Sequence, residues 1–303
     1  MTASGTQVYA TEFVAIQDKA QSLLGTGSST RGYGQTVQSS DVYSGNTITK
    51  AQWDLLRYDI TSIRYHQDGV LPDIVTVQVG DVVGYGAGSP NSNYDTLVET
   101  AIVNRFQLAS SQSVASSIGT GTTTATWGAS AICTLTCTFA NSNDARYFFN
   151  SGGRIRITPT LTGGSGTAQQ RSWISILNTV GTQSFGAVND SSVNYYTLTN
   201  SYQEFYTRST STPYSANNYK LSAKTDVADN STGTATVLYI KVMLDDAYVD
   251  PDTVYGGSEA PGDAVDGTLT LSFAELKAYG SLFPTGEFTI TSPSYSVSSV
   301  STT

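Results

Sequence analysis

Acid–base and nucleophilic catalysis at neutral pH draws most often on histidine, and this chain contains one, His66. Any Ser-His-Asp or Cys-His arrangement would have to use it. Its surroundings, Arg64-Tyr65-His66-Gln67-Asp68-Gly69, read as the polar last turn of a helix. A histidine there commonly faces the negative end of the helix dipole. We therefore assign no catalytic residue and expect no enzyme. Cys133 and Cys137 lie in a run with period-two alternation, so both thiols share the face of Leu135 and Phe139. Strand positions four apart are about 13 Å apart, too far for a disulfide. The pair reads as two small buried hydrophobes. Asp245, Asp246 and Asp250, with Asp252 beyond, offer hard oxygen ligands on a loop. They make a calcium candidate, set against the plainer reading of a solvated acidic loop. Glycoside cleavage needs two carboxyl groups, and Glu204 is the only one near an aromatic cluster. Gly163-Gly164-Ser165-Gly166-Thr167 lacks the Gly-Lys-Ser/Thr ending of a phosphate loop, so it reads as a turn. No cofactor is expected.

Tyrosine is the less ordinary signal. There are 19, and Tyr195, Tyr196, Tyr202, Tyr206, Tyr214 and Tyr219 fall together among Asn and Ser. Tyrosine brings contact area at small conformational-entropy cost. Such a region suits a subunit interface, a sugar surface, or half-buried strand faces. Tyr195, Tyr206 and Tyr214 are the candidate glycan contacts.

Composition limits the partners. Charged residues make up 13% of the 303 residues, against about 25% in an average chain. The net charge of −9 disfavours phosphate backbones and anionic membrane surfaces. No apolar run is long enough to span a bilayer. Met1 to Ala10 carries no basic and apolar leader pattern, so we expect synthesis in a cytoplasm without membrane insertion.

The elements that must position these residues follow from periodicity. Phe13, Ile16, Ala20 and Leu23 form a helical stripe over 11–25, stopped at Gly25. Residues 26–47 read as an extended arm or loop. Thr49 and Gln52 form a capping box, and Trp53, Leu56, Ile60 and Ile63 follow at 3-4-3 spacing up to Gly69. That stripe suits a partner helix or packing within the subunit. A strand is expected over 74–84, then a helix from Tyr94 to Leu108. No charge occurs from Phe106 to Asn143, which makes this stretch the preferred interface candidate. Strands are expected at 131–140, 154–160, 184–188, 193–199, 202–208, 218–225, 234–244, 267–273 and 286–292, with a short helix at Gln170–Leu177. This spacing predicts a mainly β chain: an antiparallel, jelly-roll-like β-sandwich with a smaller helix-bearing N-terminal region. The expected divisions are 1–112 as an anchoring region, 113–126 as linker or edge, 127–292 as the sandwich, and 293–303 as a tail. Alone the tail would be disordered, but it could add a strand to a neighbour.

One block resembles a known group. Asp144-Ala145-Arg146-Tyr147-Phe148-Phe149-Asn150-Ser151-Gly152-Gly153-Arg154-Ile155-Arg156-Ile157, with Gly164–Thr167 and the Trp173–Leu177 segment after it, is similar to virion structural proteins of large tailed phages, notably those of cyanobacteria. The segment Ile48 to Ile60 with His66-Gln67 is similar to a helix of the same proteins. Together these stretches cover about a fifth of the chain. The resemblance implies a neck, tail or fibre component in a virion and transfers no catalytic residue. Read physically, Asn150-Ser151-Gly152-Gly153 makes a tight turn, Ile155 and Ile157 face a core, and Arg154 and Arg156 face out. We expect a homo-oligomer, a trimer or ring, that contacts other virion proteins. Trp53, Leu56, Ile60, Ile63, Trp127, Arg154 and Arg156 are its candidate interface residues. A capsid decoration protein and a host-glycan receptor-binding protein are the alternatives.

Overall fold

A computed structural model describes residues 10–43, 46–81, 83, 89–248 and 264–303. The chain forms two compact units, each assembled from separated segments. It passes from one to the other after Val114, Ala140, Gly153, Leu276 and Ser292. The division is therefore interleaved. Asn141–Gly153 and Lys277–Ser292 belong with Met1–Val114, not with a continuous domain over 127–292.

The first unit is helical. Helices α1 (Ala10–Leu24), α2 (Lys50–Asp68) and α3 (Pro90–Val103) pack together. The capping box of α2 is formed, and Gly69 closes the helix with φ 73°, a left-handed conformation that glycine adopts freely. Helix α3 begins earlier than Tyr94 because Ser89 caps it and Pro90 occupies its first turn. The core is aromatic: Phe13 meets the Trp53 ring edge-on at 5.0 Å, and Trp53 meets Tyr94 at 5.2 Å. The strand expected over 74–84 is absent at 74–81, although Val77 is buried. The alternating pattern there finds no adjacent strand to pair with; residues 82 and 84 lie outside the described residues.

Residues 26–43 are irregular yet partly buried, so their backbone polar groups need partners. The amides of Arg31, Tyr33, Gly34 and Gln35 donate to the backbone carbonyls of Ser28, Leu23, Gly25 and Leu24, and side chains supply further partners. Asp59 of α2 accepts from the Gln38 and Ser39 amides at 3.0 and 2.9 Å and from the Ser39 hydroxyl at 2.6 Å. Helix α4 (Ser142–Asn150), which the sequence pattern does not announce, serves the same segment. Its Arg146 donates to the carbonyls of Thr26, Ser29 and Arg31 at 3.1–3.4 Å. Asn150 donates to Ser29 and Gly32 at 3.1 and 3.2 Å. Gln35 exchanges two hydrogen bonds with the Thr289 backbone.

The second unit is an antiparallel β-sandwich. One sheet has the order β1 (Ser113–Thr123), β8 (Thr268–Ser281), β3 (Arg154–Thr162), β4 (Gln183–Gly186). Strand β9 (Glu287–Thr289), in the first unit, pairs with the end of β8. The other sheet has the order β10 (Ser294–Val297), β2 (Ser130–Thr138), β7 (Val237–Asp245), β6 (Asn218–Thr225), β5 (Gln203–Ser209). The chain switches sheets between β1 and β2, β2 and β3, β4 and β5, β7 and β8, and β9 and β10, while β5, β6 and β7 follow one another as neighbours in one sheet. Strict alternation of buried residues in β2, β6 and β7 gives each strand one inward face. Helix α5 (Ala168–Val180) buries Trp173, Ile176, Leu177 and Val180. Residues 195–197 form a short 3-10 turn in place of the strand expected over 193–199, because the Asn194 side chain caps the Tyr196 amide. Residues 119–123, within the linker-or-edge stretch, are part of β1 at the end of its sheet.

The C-terminal tail corrects another expectation. It is ordered, and it adds its strands to this chain's own β2: β10 pairs there, and β11 (Ser301–Thr302) pairs further along. The Thr303 carbonyl accepts from the amides of Gly128, Ala129 and Ser130. The tail thereby covers the β2 edge.

The α4 turn shows how tightly the 144–157 block is fitted. Gly152 has φ 84°, and a Cβ on Gly153 would lie 2.3 Å from the Phe148 carbonyl oxygen. At Gly163, φ is 72°, but a Cβ there would meet nothing within 4 Å. Gly163→Ala should therefore cost about 1 kcal/mol from backbone strain alone, and Gly153→Ala about 1–3 kcal/mol from steric conflict. Urea denaturation of both variants tests this; equal costs would remove the close-approach explanation.

Candidate functional site

The residues that could do chemistry are mostly committed to the interior. His66 sits on the inner side of α2, 2% exposed. Its ring stacks on Phe288 at 4.2 Å with a 4° interplanar angle, and Tyr33 lies 5.0 Å away. Burial pushes its pKa down to about 3, with the Ser151 backbone pulling weakly the other way. The ring is neutral at physiological pH and serves as a packing group, not as the dipole-facing cation expected at the helix end. Tyr33 joins the same cluster: its hydroxyl donates to the Arg105 carbonyl at 2.7 Å and accepts from Gln67 at 2.9 Å. Cys133 and Cys137 are free and buried, and burial raises both thiols above their ordinary range.

The acidic loop separates by strand alternation. Asp245 faces outward and pairs with Lys220 at 2.6 Å. Asp246 turns inward, 5% exposed, and accepts from Gln169 at 2.5 Å. Burial pushes its pKa up to about 6, against nearby Gln169, Trp173 and Asn217 donors. Asp245 and Asp246 do not converge on one point, and no group of three potential metal ligands occurs among the described residues. Asp250 and Asp252 lie outside the described residues. Glu204 is exposed, opposite Ser222 in the β5–β6 ladder.

The interface candidates divide. Trp53, Leu56, Ile60 and Ile63 are 0–2% exposed within the single chain. Their stripe packs against α1 and α3, so these residues are not available to a second copy. Trp127 is also 2% exposed, bridging to Val265 and meeting Trp173 at 5.3 Å. Arg154 and Arg156 alternate with buried Ile155 and Ile157 and remain half-exposed. Neither enters an ion pair among the described residues.

The glycan candidates also divide. Tyr195 is 1% exposed and donates to the Ala235 carbonyl; Tyr214 is 8% exposed and packs edge-on to Tyr248. Their rings are interior and cannot stack on a sugar. Tyr206 is half-buried, with its ring 6.2 Å from Tyr219. The accessible tyrosines are different ones. On the outward side of the six-stranded sheet, Lys224 lies 4.9 Å from the Tyr202 ring centre and 5.0 Å from Tyr239. Lys241 lies 4.6 Å from Tyr202. Tyr202 is 37% exposed. A desolvated cation over an aromatic face gains about 2 kcal/mol, and an exposed one less. The signal was in the sequence: Lys220, Ser222 and Lys224, and Tyr239 and Lys241, alternate with apolar residues on adjacent strands.

Comparison with protein-family models, curated proteins and solved structures returned no match. No helix among the described residues is long and apolar enough to cross a membrane.

His66 gives a pH signature. Its folded pKa lies below its unfolded value of about 6.5, so only the unfolded state takes up a proton between these values. Its contribution to stability is therefore present above about pH 6.5 and is lost as pH falls toward 3. Unfolding free energies measured from pH 8 to pH 4 should decline more steeply in the wild type than in His66→Leu. Parallel curves would show that the ring titrates normally.

Proposed function

We propose that the chain is a non-enzymatic structural subunit of a tailed-phage virion, a neck, collar or tail-fibre component that works in a symmetric oligomer. The observation that carries this reading is a set of outward cations with no carboxylate partner among the described residues, in a chain of net charge −9. Arg154 and Arg156 stand on one sheet, and Lys224 and Lys241 on the other. None of the four enters an ion pair among the described residues. A second copy supplies acidic groups, and guanidinium forks bind carboxylates in a fixed geometry. Tyr202, Tyr239 and Met243 lie among the outward residues of the Lys-bearing sheet, and Tyr and Met are residue types that interfaces favour. Contacts through two different faces are what a ring requires.

The residues behind the resemblance support the same reading. Arg146, Asn150 and Gly153 hold backbone in place and present no reactive group. A part specialised for holding geometry suits an assembly component.

Sedimentation of the full chain at rising concentration should give a discrete oligomer. Arg154→Glu with Arg156→Glu, or Lys241→Glu, should shift it toward monomer, and added salt should act in the same direction. Labelling of intact particles should then place the copies at the neck or tail; copies on the head would favour a decoration protein. A wild-type chain that stays monomeric and is missing from particles would overturn the proposal.

A further inference from the structure

Helix α5 and strand β5 enclose a groove of about 200 Å³ within the second unit. Its helix side is Ser172, Ser175, Ile176 and Thr179, which fall on one face at helical spacing. Its strand side is Arg208, Ser209, Thr210 and Ser211. Seven of the eight lining side chains are thus polar, and six are hydroxyls.

Some of these hydroxyls are already engaged. Thr179 donates to the Ser175 carbonyl at 2.9 Å, Ser209 bonds Asn218 at 2.7 Å, and Thr210 donates to the Tyr214 carbonyl. Ser172, Ser175 and Ser211 make no side-chain hydrogen bond among the described residues, and neither does Arg208, which also enters no ion pair. A guanidinium and three hydroxyl groups therefore line one concave space with their bonding capacity open.

The chemistry of the lining selects the occupant. A guanidinium with no carboxylate in the lining repels a cation. No aromatic ring lines the groove, so a neutral sugar would lack a stacking surface. Ile176 alone is too little apolar area for a hydrophobic ligand. Guanidinium and hydroxyl donors together suit anionic oxygens. The volume is below the range of about 300–1,000 Å³ typical of drug-sized ligands, so the bound group is small. We infer that the α5–β5 groove binds a small oxyanion, a carboxylate or phosphate, with Arg208 taking the charge and Ser172, Ser175 and Ser211 donating to its oxygens. None of Tyr195, Tyr206 and Tyr214 lines this groove, and the inference does not depend on the virion reading.

The test is an amide chemical-shift titration of the full chain at constant ionic strength, with sodium phosphate, sodium glucuronate and glucose as separate probes. Saturable shifts at residues 172–179 and 208–211 are expected with at least one anion, and none with glucose. Phosphate alone would identify a phosphate site; glucuronate alone would identify a carboxylate, including one carried on a saccharide. Arg208 is exposed, so Arg208→Ala should leave the thermal midpoint unchanged while weakening binding about tenfold or more. Arg208→Lys should retain part of the affinity. Binding that is non-saturable, equal for glucose, or indifferent to Arg208→Ala overturns the inference.

Discussion

A segment of irregular backbone packed into a helical unit sets the terms for much of the first unit. Residues 26–43 have no ladder or helix to satisfy their amides and carbonyls, and a buried backbone group left unpaired costs about as much as a lost hydrogen bond. Asp59, Arg146 and Asn150 answer that requirement, and Gln35 donates to the Tyr33 carbonyl. Each lies near other polar groups, and each would look like site chemistry if its partners were ignored. Burial raises the pKa of Asp59, while the Ser39 hydroxyl and the Gln38 and Ser39 amides oppose that rise. A carboxylate in this position is a fastener for the loop.

The same requirement accounts for α4. An Arg at 146 and an Asn at 150 are one helical turn apart, so both side chains reach one loop. The helix must then end abruptly to release β3 into the sandwich. Gly152 and Gly153 make that possible, the first by its left-handed φ and the second by leaving room for the Phe148 carbonyl.

Much of this was legible in the residues. The capping box at Thr49, the stop at Gly69, the alternation in β2, β6 and β7, and the outward Arg154 and Arg156 all follow from local rules that tertiary structure did not override. What could not be read depended on partners distant in the chain. The stripe Trp53, Leu56, Ile60 and Ile63 shows an apolar face but not what covers it, and α1 and α3 do so here. Residues 74–79 alternate like a strand, yet alternation creates a strand only where an edge is free to pair. The tail shows the converse: Ser294–Thr302 has little apolar drive of its own, and β2 orders it through backbone pairing. The interleaved units were invisible because contacts that return from residues 277–292 leave no local pattern.

The tyrosines and the lone histidine point the same way. Tyr195, Tyr214 and His66 are residue types often found at binding or catalytic surfaces, and all three are interior here. Aromatic rings share the core with aliphatic side chains, and some of their polar ends find internal partners, as Tyr195 does with Ala235. The outward faces are left to threonine, serine and a few cations. Among the described residues, Arg154, Arg156, Arg208, Lys224 and Lys241 enter no ion pair and can recognise negative charge. The proposed contacts between copies and the proposed oxyanion groove both rest on recognition of charge, at Arg154, Arg156, Lys224 and Lys241 in the first case and Arg208 in the second.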